Sequence, residues 1–171
     1  MKHFALWMGL CFGLTSCGYH ISGHADMLPK SVQTIAIPSF RNVTSRYKLP
    51  ERLAGSLTRE FISRTRYHIN ADPEKADAVL RGIVLRYDAF PTTFDPATGR
   101  GSSVQMVVIM KLTLVERATG KVLWERPSME VRERYEIGTD QRAYLEESDA
   151  AVDRMSRDVA RTVVSAVLEA F

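Results

Sequence analysis

Polar and apolar residues alternate most regularly between Val104 and Val115. Val104, Met106, Val108, Met110, Leu112 and Leu114 share one parity. A strand sends alternate side chains to opposite faces, so these six should line a core. The other parity, Gln105, Val107, Ile109, Lys111, Thr113 and Val115, is half apolar. A second rhythm runs from Leu49 to Phe61, where Leu49, Leu53, Leu57 and Phe61 recur at helical spacing with Ile62 beside them. Arg52, Arg59, Glu60 and Arg64 lie off that stripe. The pattern predicts an amphipathic helix of roughly four turns, with Pro50 in its first turn, where a missing N–H costs nothing.

The remaining elements follow from the same two periods. Val32 to Ile37 reads as a strand ended by Pro38, followed by a polar, basic connection over residues 41–48. Tyr67 to Asn70 suggests a short edge strand, and Asp72-Pro73-Glu74 a turn. Ala78 to Phe90 reads as a long strand, and Pro91 to Ser103 as a connector. Ala118-Thr119-Gly120-Lys121 marks a hairpin, with glycine available for positive φ. The strand beginning at Val122 is interrupted by Pro127, which requires a bulge or an edge position. A long helix capped by Thr139 or Asp140 should run nearly to Phe171. Its stripe would be Leu145, Val152, Met155, Val159, Val163, Ala166 and Ala170, flanked by Val167 and Phe171.

These elements predict an α/β (α+β) two-layer sandwich. Two amphipathic helices would cover one face of a mostly antiparallel or mixed sheet of about four strands. No third helix is left for the other face, which would carry Val107, Ile109, Lys111 and Val115. That face is either a docking surface or is covered by loops or the N-terminal lead.

The N-terminus changes the picture. Lys2 and His3 precede an apolar run from Phe4 to Leu14, too short for the ~20 residues that span a bilayer. Leu14-Thr15-Ser16-Cys17 then has the lipobox pattern: small residues before the cut, and a thiol able to take a glyceryl group as a thioether. Residues 1–16 are expected to be a cleaved lipoprotein signal peptide, and residues 17–31 a lipid anchor and tether. Residues 32–171 would form a single domain. Cys17 would carry a diacylglycerol and an N-acyl chain, which together anchor far more firmly than one chain. The other cysteine, Cys11, lies in the leader, so neither a disulfide framework nor a Cys-based metal site is expected. A net charge of +3 gives no nucleic-acid signal.

Catalytic patterns are missing. His20 and His24 are four apart, but they flank glycines in the tether with no third ligand near in sequence. Gly99-Arg100-Gly101-Ser102-Ser103 lacks the spacing of a phosphate loop, and no nucleophile–base set supports a hydrolase. No enzyme activity, metal or cofactor is expected. The basic residues Arg41, Arg46, Lys48, Arg100 and Arg142 lie on loops or near a helix start, where arginine can grip phosphates or carboxylates.

Cys17-Gly18-Tyr19-His20 with Gly23, Leu28-Pro29, Thr34-Ile35-Ala36-Ile37-Pro38 and Phe40-x-Asn42-x-Thr44 resemble the start of the LptE family of lipopolysaccharide-assembly lipoproteins. Ala76-Asp77-Ala78-Val79-Leu80-x-Gly82 and the last helix fit the same pattern, so the resemblance covers essentially the whole chain. It implies a non-enzymatic outer-membrane lipoprotein that plugs a large β-barrel, LptD, assists its assembly and helps place lipopolysaccharide in the outer leaflet. It further implies lipopolysaccharide binding through basic residues, with Arg100 and Arg142 the nearest matches by position. A lipoprotein that binds and regulates a cell-wall synthase is the alternative compatible with this fold.

Overall fold

The computed structural model describes residues 28–97, 99, 101–137 and 141–171, with the side chains of 141–146 outside the description. The proposed leader, Cys17, His20, His24, Arg100, Thr139 and Asp140 therefore lie outside the described residues, as do the Leu145 and Arg142 side chains. In chain order the elements are β1 (Thr34–Ala36), β2 (Arg41–Asn42), α1 (Leu49–Arg64) and β3 (His68–Asn70). A 3₁₀ turn (Pro73–Lys75), β4 (Ala78–Phe94), β5 (Gly101–Glu116), β6 (Val122–Glu136) and α2 (Gln141–Glu169) complete the fold.

The sheet is mixed and runs β3-β1-β4-β5-β6, with β2 also paired to β4. It has six strands rather than the expected four. β3 is the suggested edge strand and lies parallel to β1, joined to it through α1. β2 was unexpected: Arg41 and Asn42 are polar and too few to show a period, yet they pair in parallel with Ile83 and Val84. The connector expected from Pro91 to Ser103 is shorter, because β4 continues to Phe94 and β5 begins at Gly101. β-branched Thr92 and Thr93 favour extended backbone, and Pro91 is tolerated because this part of β4 has no neighbour opposite β5. Pro127 meets both conditions proposed for it. β6 is the last strand of the sheet, and its register with β5 jumps between Met129 and Arg126.

The six even-numbered side chains of β5 from Val104 to Leu114 are buried, five of them completely and Val104 with 4% exposure. They join Leu49, Leu53, Leu57 and Phe61 of α1 in one core with Val152, Met155, Val159 and Val163 of α2. Both helices thus cover one face, as expected. The stripes need two corrections. Ile62 is 61% exposed, because the α1 stripe turns away from it after Phe61. Ala170 is exposed beyond the end of α2. The α2 stripe is also broader, adding Ala151, Ala160 and Val164, because α2 packs against α1 as well as the sheet.

Arginines tie the two helices together on the outside. Arg52 donates to the Asp149 carboxylate at 3.0 Å, to the Asp149 backbone carbonyl at 2.9 Å and to Asp153 at 3.0 Å. Arg46 donates to Ser148 Oγ at 2.7 Å, lies 3.3 Å from Asp149, and sits 5.6 Å above the Tyr87 ring of β4. Among the described residues, no helix is long and apolar enough to cross a membrane.

Candidate functional site: the uncovered sheet face

The odd-numbered residues of β5 form the centre line of the face opposite the helices. Val107, Ile109 and Lys111 are partly buried there, flanked by β4 and β6. The register builds rows across three strands: Phe90–Gln105–Arg134, Asp88–Val107–Arg132, Arg86–Ile109–Glu130 and Arg81–Thr113–Glu125. Val107 and Ile109 therefore sit at mid-sheet with charges on both sides. Ion pairs join Arg86 to Asp88 at 2.5 Å, Lys111 to Glu125 at 2.6 Å and Arg132 to Glu130 at 2.6 Å. Exposed pairs of this kind contribute at most about 1 kcal/mol each to stability. Their main consequence is a wettable, charge-laced surface around Val107 and Ile109.

One end of this face is closed. Ala36, Ala76 and Val79 form a small buried cluster beneath the Pro73–Lys75 turn. Arg117 Nε donates to the Ala76 carbonyl at 2.8 Å and fastens the turn there. A loop thus covers the start of β4 but leaves the Val107–Lys111 stretch uncovered by any described element. The β4 bulge between Val84 and Arg86 falls where β2 stops pairing, so the rest of β4 forms a three-stranded extension with β5 and β6.

The hairpin between β4 and β5 ends this extension, with Gly99 at φ +67°. Arg100 follows Gly99 in sequence. β6 ends with Glu136 paired to Ser103, and the Ile137 amide donates to the Ser102 carbonyl at 2.9 Å. α2 begins at Gln141, a few residues after β6 ends at this end of the sheet.

The motif residues behind the family resemblance do other work. Asn42 Oδ1 accepts from the Thr44 amide and hydroxyl at 2.9 and 2.8 Å, while Asn42 Nδ2 donates to the Arg46 carbonyl at 3.0 Å. That loop brings Arg46 onto Tyr87. Gly82 leaves room for the Phe40 ring, which a Cβ at position 82 would overlap. Asp77 Oδ2 accepts from the Gln33 and Thr34 amides at 3.0 and 2.9 Å, and these bonds hold its carboxyl below the usual range. Glu116 is lowered by hydrogen bonds from Thr119 and Ser31, and Tyr67 is raised by burial. The hydrogen-bond donors to Asp77 and Glu116 clamp strands or turns, so these shifts reflect architecture rather than acid–base catalysis. Among the described residues, no group of three metal-ligating side chains occurs.

Comparison with known proteins agrees with this architecture. A lipoprotein of Caulobacter crescentus superposes with a TM-score of 0.55 at 14% identity, covering 77% of this chain and 89% of that one. Lipoprotein B of Nitrosomonas europaea gives 0.53 at 16% identity, covering 89% and 96%. At such identities the likeness establishes the fold. No curated protein matches the sequence. The LptE lipopolysaccharide-assembly family profile matches residues 32–167, from just before β1 almost to the end of α2. The fasteners at Phe40, Asn42, Asp77 and Gly82 all fall within this match, and the chain belongs to the non-enzymatic LptE lipopolysaccharide-assembly family.

Proposed function

We propose that this LptE-family chain is an outer-membrane lipoprotein that plugs an LptD-type β-barrel, assists its assembly and helps insert lipopolysaccharide into the outer leaflet. The observation supporting this is the sheet face that no described element covers. Strands of 15 to 17 residues carry a charge-laced surface that suits the polar lumen of a wide barrel. Val107, Ile109 and Lys111 would contact the barrel wall. Arg100 and Arg142 would grip lipopolysaccharide phosphates, because guanidinium groups bind such oxygens bidentately. The lipid on Cys17 would hold the domain at the membrane, facing the periplasm or the barrel lumen. The family match disfavours the cell-wall-synthase alternative.

Affinity purification of the detergent-extracted protein tests this reading. It should recover a large β-barrel protein, and recovery of only a peptidoglycan synthase would refute it. Charge reversal at Arg100 and Arg142 should weaken lipopolysaccharide binding without lowering Tm. Unchanged binding would make them ordinary solvated charges.

A further inference from the structure

We propose that a pocket beside β1 and β3 binds one acyl chain that ends in a carboxylate or phosphate. The cavity measures about 420 Å³, within the usual size range for small-molecule pockets. Leu28, Val32 and Tyr67 supply its apolar walls, and Leu28 and Val32 are almost wholly buried. Lys30, Arg66 and His68 line it as well, and among the described residues no carboxylate does. An apolar interior with only basic charges among its described walls complements an anionic amphiphile.

The local fold explains this grouping. His68 N donates to the Gln33 carbonyl at 2.9 Å, extending the parallel pairing of β1 and β3 and drawing residues 66–68 against 30–33. The Tyr67 hydroxyl is buried beside the Leu28 backbone and, among the described residues, makes no hydrogen bond of ordinary geometry. Lys30 and Arg66, both exposed, can bind the headgroup oxygens and balance their charge. The pocket lies at the start of β1, at the opposite end of the sheet from the β4–β5 hairpin. It is therefore separate from the arginines proposed for lipopolysaccharide.

A free membrane lipid with a terminal anion supplies such a chain; the acyl chains proposed on Cys17, eleven positions before Leu28, are held as esters and an amide and carry no anion. The test uses full-length chain with Cys17→Ala and, in parallel, the lipidated chain, titrated with the fluorescent carboxylate cis-parinaric acid. The Cys17→Ala chain should bind it saturably, a 1-acylglycerol phosphate should compete, and the uncharged methyl ester should bind about tenfold more weakly. Lys30→Gln with Arg66→Gln should weaken the acid similarly, and Gln33→Trp should block the mouth. Lys30, Gln33 and Arg66 are exposed, so Tm should hold. Binding by both chains supports a free anionic lipid, whereas binding by the Cys17→Ala chain alone would show that the protein's own uncharged anchor fills the pocket and would overturn the proposal. No saturable binding, equal binding of the ester, or variants that bind like the parent would overturn the proposal.

Discussion

The two faces of β5 share one backbone and differ in almost everything else. Met106, Val108, Met110, Leu112 and Leu114 point into the helix layer and are fully buried. Their neighbours Val107, Ile109 and Lys111, one residue away on the same strand, remain partly open and lie among ion pairs. The first set gains from burial whatever the protein does. Water already reaches the second set, so it gains little on folding and is available for a partner. Stability and association are thus separable by parity along a single strand.

That separation can be broken most strongly at Leu112. Leu112→Ala should cost about 2–5 kcal/mol, because the packed helices cannot collapse into the gap. Ile109→Ala should cost clearly less, since a substitution on the partly open face leaves no enclosed cavity. Urea titration measures both, and equal losses would show that the two faces are equivalent.

Gly82 comes next. It faces the helix layer opposite Leu112, and Gly82→Ala drives a methyl into the Phe40 ring. Overpacking of this kind costs about 1–3 kcal/mol. Combining it with Phe40→Leu should recover part of the loss, so additivity of the two changes would argue against the contact.

The β5 alternation and the α1 stripe were legible because each repeats a local period over many residues. β2 was not, since a polar pair becomes a strand only where distant Ile83 and Val84 offer an edge. The glycine in an otherwise apolar strand was a usable signal of close approach, but its partner Phe40 is forty-two positions away. Arg46 stood among the loop arginines able to grip a carboxylate and Arg52 off the α1 stripe, but only the fold brings Asp149 and Asp153 to them. Counting helices left open whether loops or the N-terminal lead cover the second face, and among the described residues only one end of it is covered. The turn closing that end was not legible, because Ala76 and Val79 carry no mark of what packs above them.

Asp77 gives a smaller, pH-dependent effect. Its pKa is lowered in the fold because the charged form accepts the Gln33 and Thr34 amides. Its contribution is therefore present above the ordinary aspartate value of 3.8 and is lost as pH falls through the lower folded value. Asp77→Asn should reduce Tm near neutrality, and the difference from the parent should shrink as pH drops below 3.8. A constant difference across that window would assign the effect to shape rather than charge.

Lys111→Glu should change stability least and association most. It faces Glu125 at 2.6 Å, and both groups are more than a third exposed. Losing the attraction and adding repulsion should therefore stay within about 1 kcal/mol. If the face meets a barrel wall, the same reversal alters its charge pattern and should cut recovery of the barrel in a pull-down. Pairing it with Glu125→Lys restores an ion pair of opposite sense and so isolates the two contributions. Stability should return in the double variant while barrel recovery stays low, because the partner would still meet the charges in exchanged positions. Full recovery of both would show that the face needs only a neutral, wettable surface. Normal recovery in the single variant would remove Lys111 from the interface altogether.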